Sequence, residues 1–270
     1  MIYMNKLFKP KVWFFNWIPA CAGMTMLFLF LFTPSSALAA AVSWDGGASG
    51  SWNTAANWSN DSIPTSSDDV TIDNAAVTTS SNISFSTLTI GSGTYTTSLT
   101  LTNNITSGGS ITINNAGTLT QNNKVQQVLT GTMTINSGGN LTHTANTTTN
   151  LYNVNFSAAT ITINTGGTIN LNGKGYTGTT GSVNGNGPGA GVTNSTTAGG
   201  GAHGGVGGQG GSSAATGGSS NDSVTNPTDL GSGGGSGGPA ANIGGNGGGI
   251  PLTPTLSHKG RGEIREFRGR

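Results

Sequence analysis

The sequence predicts an all-β chain: a parallel β-helix (solenoid) of about four rungs followed by a glycine-rich irregular segment. Three observations carry that prediction. First, a short phrase, typified by Ser110-Ile111-Thr112-Ile113-Asn114, begins residues 110–120 and returns over 131–142 and 160–170, with a looser copy over 87–95. Each copy alternates apolar and polar residues, turns through Asn and Gly, then alternates again. Period-two alternation marks strands, and Asn or Gly accommodates a turn with positive φ. Second, only 7% of residues are charged, Gly, Thr, Ser and Asn abound, and no leucine-rich amphipathic helix pattern exists, which excludes an ordinary α/β enzyme. Third, more than half of the 47 glycines fall within residues 181–250, after the repeats end.

The formal charge of +1 conceals a split, because the basic residues sit at the two ends. Between residues 42 and 249 only Lys124 and Lys174 oppose Asp45, Asp61, Asp68, Asp69, Asp73, Asp222 and Asp229. Such a body has no basic stripe for a phosphate backbone, so no nucleic-acid partner is expected. Cys21 is the sole cysteine and precedes the expected mature start, which leaves stacked strands, not disulfides, to stabilise the chain.

Residues 1–41 read as a signal peptide. Lys6, Lys9 and Lys11 form a positive n-region and 26–32 an apolar h-region. Pro34 breaks the run, and Ala37-Leu38-Ala39 supplies the small-x-small cleavage pattern. The apolar run is too short to span a bilayer comfortably, so no permanent membrane span is expected and the location is extracellular or cell-surface. Residues 15–25 resemble peptide translated from a dispersed intergenic repeat, which leaves the true start codon open.

Residues 42–73 form a Trp-rich N-terminal cap. Trp44, Trp52 and Trp58 lie close together in a chain otherwise poor in aromatics. Two roles fit them. The first rung of a stacked-strand solenoid has nothing beneath it, and large rings can close that open end. A row of exposed rings can instead stack on sugar faces, making the segment a carbohydrate-binding module. The cap is the preferred reading, because no polar residues of a carbohydrate-binding kind cluster beside the rings.

The pattern W-x-G…W-x-x-A-x-N-W, then Pro and an Asp-rich lead into a strand, is carried here by Trp44, Gly46, Trp52, Ala55, Asn57, Trp58, Pro64, Asp69 and Ile72. It resembles the opening of bacterial autotransporter-like and filamentous-adhesin-like exported proteins. The resemblance covers about 42–250, and it is more specific over 42–73 than over the repeats. It implies a right-handed parallel β-helix with a surface or secreted adhesin-like role, meeting glycans or other cell-surface and matrix components.

Residues 74–172 carry the β-helix repeats. Ile90, Ile113, Ile135 and Ile163 align at intervals of 23, 22 and 28, which suits one turn of three short strands and their corners. Ile111, Ile113, Leu119, Met133, Ile135, Leu141, Ile161, Ile163 and Ile169 then point inward, and Thr112, Thr120, Thr134, Thr142 and Thr162 outward. Asn114, Asn136 and Asn164 share one corner and can form a ladder, themselves tolerating the left-handed bend. About four rungs give a cylinder ~20 Å tall, which needs caps at both ends. The outward Thr-x-Thr pairs resemble the flat arrays of some ice-binding β-solenoids, but the 28-residue interval is expected to break their register.

Residues 173–249 read as a glycine-rich excursion or linker, and the preferred reading is a long excursion with some local packing. Matches to G-x-G-x-x-G there lack any strand–helix context, and Asp222 and Asp229 miss the calcium nonapeptide spacing. Residues 250–270 read as a disordered basic tail, holding Lys259, Arg261, Arg265, Arg268 and Arg270; they resemble a second translated genomic repeat. A fragment of a longer gene is therefore expected.

An inventory of reactive groups argues against catalysis. No Glu precedes Glu263, and Asp68, Asp69 and Asp73 are the only close acids, better suited to solvating a strand edge than to paired acid–base work or Ca²⁺ binding. His143, between two threonines, is expected at the surface. The expectation is a non-enzymatic exported surface or matrix protein with no cofactor and no metal. The alternatives are a carbohydrate-binding module using Trp44, Trp52 and Trp58, then an ice-binding or polysaccharide-degrading β-solenoid.

Overall fold

A computed structural model describes residues 39–211, 213–224, 227–238 and 242–249; all but the last three residues of the expected signal peptide (1–41), and the expected basic tail over 250–270, lie outside the described residues. Fourteen strands form among the described residues: β1 (Ala41–Ser43), β2 (Ser49–Ser51), β3 (Asp69–Ile72), β4 (Ala76–Thr78), β5 (Ile83–Ile90), β6 (Thr97–Leu101), β7 (Ile105–Ile113), β8 (Gly117–Gln121), β9 (Gln127–Val128), β10 (Thr132–Ile135), β11 (Asn140–His143), β12 (Phe156–Ser157), β13 (Thr160–Ile163) and β14 (Thr168–Ile169). Among the described residues the chain is all-β apart from a single 3-10 turn at Ala55–Asn57.

The strands alternate between two six-stranded sheets. One has the order β1-β3-β5-β7-β10-β13, and the other β2-β4-β6-β8-β11-β14. Every strand pairing is parallel, including the separate pair β9–β12. The register superposes like on like. Val42, Val70, Leu88, Ile111, Met133 and Ile161 match across the first sheet, and so do Ile72, Ile90, Ile113, Ile135 and Ile163. In the second sheet Val77, Leu99, Leu119, Leu141 and Ile169 are in line. Their side chains share one core, fully buried in the middle layers. Each buried Ile, Leu or Val contributes roughly 1.5–3 kcal/mol. A one-residue slip would turn every one of them out to solvent, so the alternation fixes the register.

The phrase copies thus align in space as they do in the sequence, but two further layers precede them. β1, β2, β3 and β4 are strands of three or four residues without an Asn-Gly turn between them, so they escape a search for the phrase. The Trp-rich segment therefore supplies ladder strands as well as the end of the stack. Ser59 donates its N–H to Ser43 O and Asp45 to Asn57 O, so residues 57–59 close the outer side of β1, an edge otherwise open to foreign strands. At the far end, Ile161, Ile163, Ile169 and Leu171 are only half-buried.

The corner after the first sheet corrects one expectation. Asn114, Asn136 and Asn164 do not hold the left-handed bend; Ala116, Gly138 and Gly166, two residues later, do, with φ of 60°, 74° and 86°. The asparagines act through their side chains. Asn164 Nδ2 donates to Asn136 Oδ1 at 2.7 Å, Asn136 Nδ2 to Asn114 Oδ1 at 2.8 Å, and Asn114 Nδ2 to Gly91 O at 2.9 Å.

The 28-residue interval leaves the ladders intact. Its extra residues lie in the connection 144–155 between β11 and β12, where the preceding layer has only 122–126 between β8 and β9. Asn146, buried, organises this longer connection: its Oδ1 accepts the N–H groups of Leu151 and Tyr152, and its Nδ2 donates to Tyr152 O and Lys174 O.

Within residues 173–249 the described stretches pack locally on one another. They hydrogen-bond to one another backbone to backbone, as in Gly175 N to Gly247 O (2.7 Å), Gly234 N to Gly245 O (2.8 Å), Gly200 N to Gly208 O (2.8 Å) and Gly218 N to Gly200 O (3.0 Å). A Cβ at Gly233 would collide with Thr177 O, and one at Gly247 with Gly231 O. Crowded glycines recur every third residue, as at Gly175 and Gly178 or Gly244 and Gly247, which is the repeat of a polyproline-II helix. The missing side chains let these backbones approach, and their mutual hydrogen bonds offset the entropy of ordering glycine.

Candidate functional site

The tryptophans form one interlocked unit at the first layer. Trp52 and Trp58 meet edge-on with centroids 4.8 Å apart, Trp44 meets Trp58 at 5.2 Å, and Trp52 lies 6.4 Å from Phe85. Trp58 Nε1 donates to Trp52 O at 2.7 Å and Trp44 Nε1 to Gly47 O at 2.8 Å. Gly46 and Gly50 are small because Asn57 occupies the space a Cβ would take, and Asn57 Nδ2 in turn holds Ser51 O at 2.9 Å. Trp52 and Trp58 are 0% exposed and Trp44 is half-buried. Two of the three rings proposed for sugar stacking therefore have no face available to a ligand.

The acids do not converge. Asp68 accepts the N–H and hydroxyl of Thr65, both at 2.7 Å, and Asp69 accepts Thr87 Oγ1 at 2.8 Å. Asp73 accepts Ser92 N and Thr97 Oγ1. Hydrogen bonding from Ser92 outweighs partial burial and holds the Asp73 carboxyl below its usual range. Among the described residues no group of three or more His, Cys, Asp or Glu could hold a metal ion. No helix among the described residues is long and apolar enough to cross a membrane.

His143 is not at the surface. It is fully buried, paired with Gln121 in the ladder, and Nδ1 lies 2.8 Å from Thr144 O. Nε2 has no hydrogen-bond partner and abuts Gly249. Burial, with a smaller push from Lys174 and against the Thr144 carbonyl, lowers its pKa. Thr142 beside it is buried too, donating to Asn170 O at 2.7 Å instead of facing solvent. Alternation from Leu141 turns His143 inward as it does Gln121, whereas Thr142 departs from it because Asn170, beyond β14, covers the outward position.

A second polar centre lies inside the glycine-rich segment. His203 Nε2 is 2.8 Å from Asp222 Oδ2 and 2.9 Å from Asp229 O. Burial opposes ionisation of Asp222, but the N–H groups of Asp229, Thr228 and Ser223, with His203, outweigh it and hold the carboxyl at about 2. The two residues are far apart in a sequence where His203 stands among glycines, so no local motif announces the pair. An open groove of about 330 Å³ runs beside it, lined largely by glycine backbone.

The most regular feature is the outward face of the first sheet. Thr71, Thr89, Thr112, Thr134 and Thr162 lie in register, headed by Ser43. Two residues before each stands Asp69, Thr87, Ser110, Thr132 or Thr160; Thr132 N donates to Ser110 Oγ at 3.0 Å. Parallel strands about 4.8 Å apart, with outward residues about 6.6 Å apart along each strand, make this a rectangular lattice. The 28-residue interval does not interrupt it, since Thr134 pairs with Thr162 directly.

A family model described as Domain of unknown function (DUF8693) matches residues 43–167. The match runs from the last residue of β1 to the turn after β13, within the third phrase, and stops before the glycine-rich segment. No curated protein and no solved structure matches the chain.

Proposed function

We propose that this chain is an exported, non-enzymatic, adhesin-like surface or matrix protein, built as a right-handed parallel β-helix whose outward faces make its contacts. The alternation of the chain between two parallel sheets supports the β-helix, and the strong preference of parallel crossovers for right-handed connections supports the hand. One observation carries the contact reading: the first sheet holds a rigid, in-register, nearly uncharged hydroxyl face, while Trp52 and Trp58 are turned inward. Separated carboxylates, each engaged by neighbouring hydroxyls and N–H groups, favour a structural role over hydrolysis.

Attachment of the full chain to insoluble glycans and matrix-coated surfaces tests this reading. The protein is expected to be retained without releasing soluble sugar, and Thr112→Lys with Thr134→Lys is expected to abolish retention. Sugar release, or retention lost only in Trp44→Ala, would replace the reading with an enzyme or a carbohydrate-binding module respectively.

A further inference from the structure

We propose that the outward face of the first sheet binds ice, acting as a template for an ordered layer of water; this deepens, and rests on, the reading of that face as the contact surface. The argument begins with geometry. Four in-register strands, β5, β7, β10 and β13, place hydroxyl-bearing residues at about 4.8 Å in one direction and about 6.6 Å in the other, and β3 adds Thr71. Water on the prism plane of ice repeats along two perpendicular directions, at a distance close to the first of these and somewhat longer than the second. A polymer chain does not require such a two-dimensional match.

The chemistry of the lattice agrees. Thr71, Thr89, Thr112, Thr134 and Thr162 direct no side-chain hydrogen bond to the protein, whereas in the column beside them Thr87 donates to Asp69 and Thr132 to Ser110. Each hydroxyl offers one donor and two acceptor lone pairs, which water satisfies in both senses. Threonine is stiff at χ1, so hydroxyl and methyl are presented in a restricted set of orientations before binding. The pre-ordering lowers the entropy lost when a crystalline surface is met.

The same face lacks what other ligands need. No tryptophan, tyrosine or phenylalanine stands in either column for a sugar to stack on, and no Lys or Arg for an anion. The sole charge is Asp69, at one margin and already bonded to Thr87. The second sheet supplies a comparison inside the molecule. It also has a threonine row, Thr78, Thr100, Thr120 and Thr142, but that row ends where Thr142 is buried against Asn170, and the row beside it mixes Ala76, Ser98, Thr118, Asn140 and Thr168.

The test is ice-affinity partitioning of the full chain during slow growth of an ice front, with recrystallisation inhibition as a second readout. Wild-type protein is expected to be enriched in the ice and to slow grain growth. Thr112→Lys and Thr134→Lys are expected to reduce both to the level of an inert protein, whereas Thr100→Lys on the second sheet leaves both unchanged. Thermal melts of each variant confirm that the fold is retained, and Thr112→Val with Thr134→Val gives a milder pair that keeps the β-branched shape. Exclusion of wild-type protein from ice overturns the proposal, as does partitioning indifferent to the first-sheet variants. If ice excludes the protein while the same variants abolish attachment to cellulose or chitin, the contact face stands and its ligand is a crystalline polysaccharide. Loss of both phenotypes from wild type removes the contact-face reading as well.

Discussion

Trp58 donates its indole N–H to the backbone carbonyl of Trp52 at 2.7 Å, with the two rings edge-on and fully buried. The bond joins the segment that closes β1 to the segment that follows β2. Truncating Trp58→Ala removes a buried ring and orphans a carbonyl, so a loss of about 3–5 kcal/mol is expected in denaturant unfolding. Trp44→Ala, at a half-buried ring, is expected to cost less.

The asparagine ladder makes a sharper test of side-chain chemistry. Asn136 both donates to Asn114 and accepts from Asn164. Asn136→Ala breaks two bonds at once and is expected to cost about 1–3 kcal/mol, whereas Asn164→Ala, at the end of the ladder, breaks one and costs about half as much. Equilibrium unfolding of the two variants checks the ratio.

His143 sets the acid sensitivity of the far end. Its folded pKa lies below the ordinary value of 6.5, so the unfolded chain takes up a proton first as pH falls through that value. Stability is therefore complete above the ordinary histidine range and declines on acidification until the folded pKa is reached. Melting temperatures followed from neutral to mildly acidic pH are expected to drop in wild type and to flatten in His143→Gln.

Asp222 acts lower on the pH scale. With its carboxyl held at about 2 against an ordinary 3.8, its contribution is present above the ordinary value and lost as pH falls through the folded one. Asp222→Asn is expected to speed amide exchange at Ser223, Thr228 and Asp229, whose N–H groups the carboxylate accepts.

The glycine-rich segment separates a packed tract from a linker through two substitutions. Gly233→Ala has no room and is expected to destabilise the tract by about 1–3 kcal/mol and open it to protease, while Gly205→Ala meets open space and is expected to be silent. Limited proteolysis with mass mapping reads both.

Much of the fold was legible because the phrase itself is the register: aligning Ile90, Ile113, Ile135 and Ile163 in the sequence reproduces the ladder in space. The first two layers were hidden because their three- and four-residue strands carry no repeated turn. The packing of the glycine tract is legible only in outline, because composition records entropy but not the inter-segment hydrogen bonds that offset it. His143 was misplaced because neighbouring threonines signal a surface strand, while its cover, Gly249, comes from more than a hundred residues away. The hydroxyl lattice is half visible: the Thr-x-Thr pairs stand in the sequence, but the length of an interval does not report the register across it.

The longer connection over 144–155 has a consequence of its own. Because the ladders on either side of it are undisturbed, the chain has a seam where length can be added at no expense to the lattice. Natural insertions, or a spliced epitope or fluorescent module, can ride outward from the side of the stack there. The flat hydroxyl plane and the bulk attached to the protein can then change independently, each answering to a different selective demand.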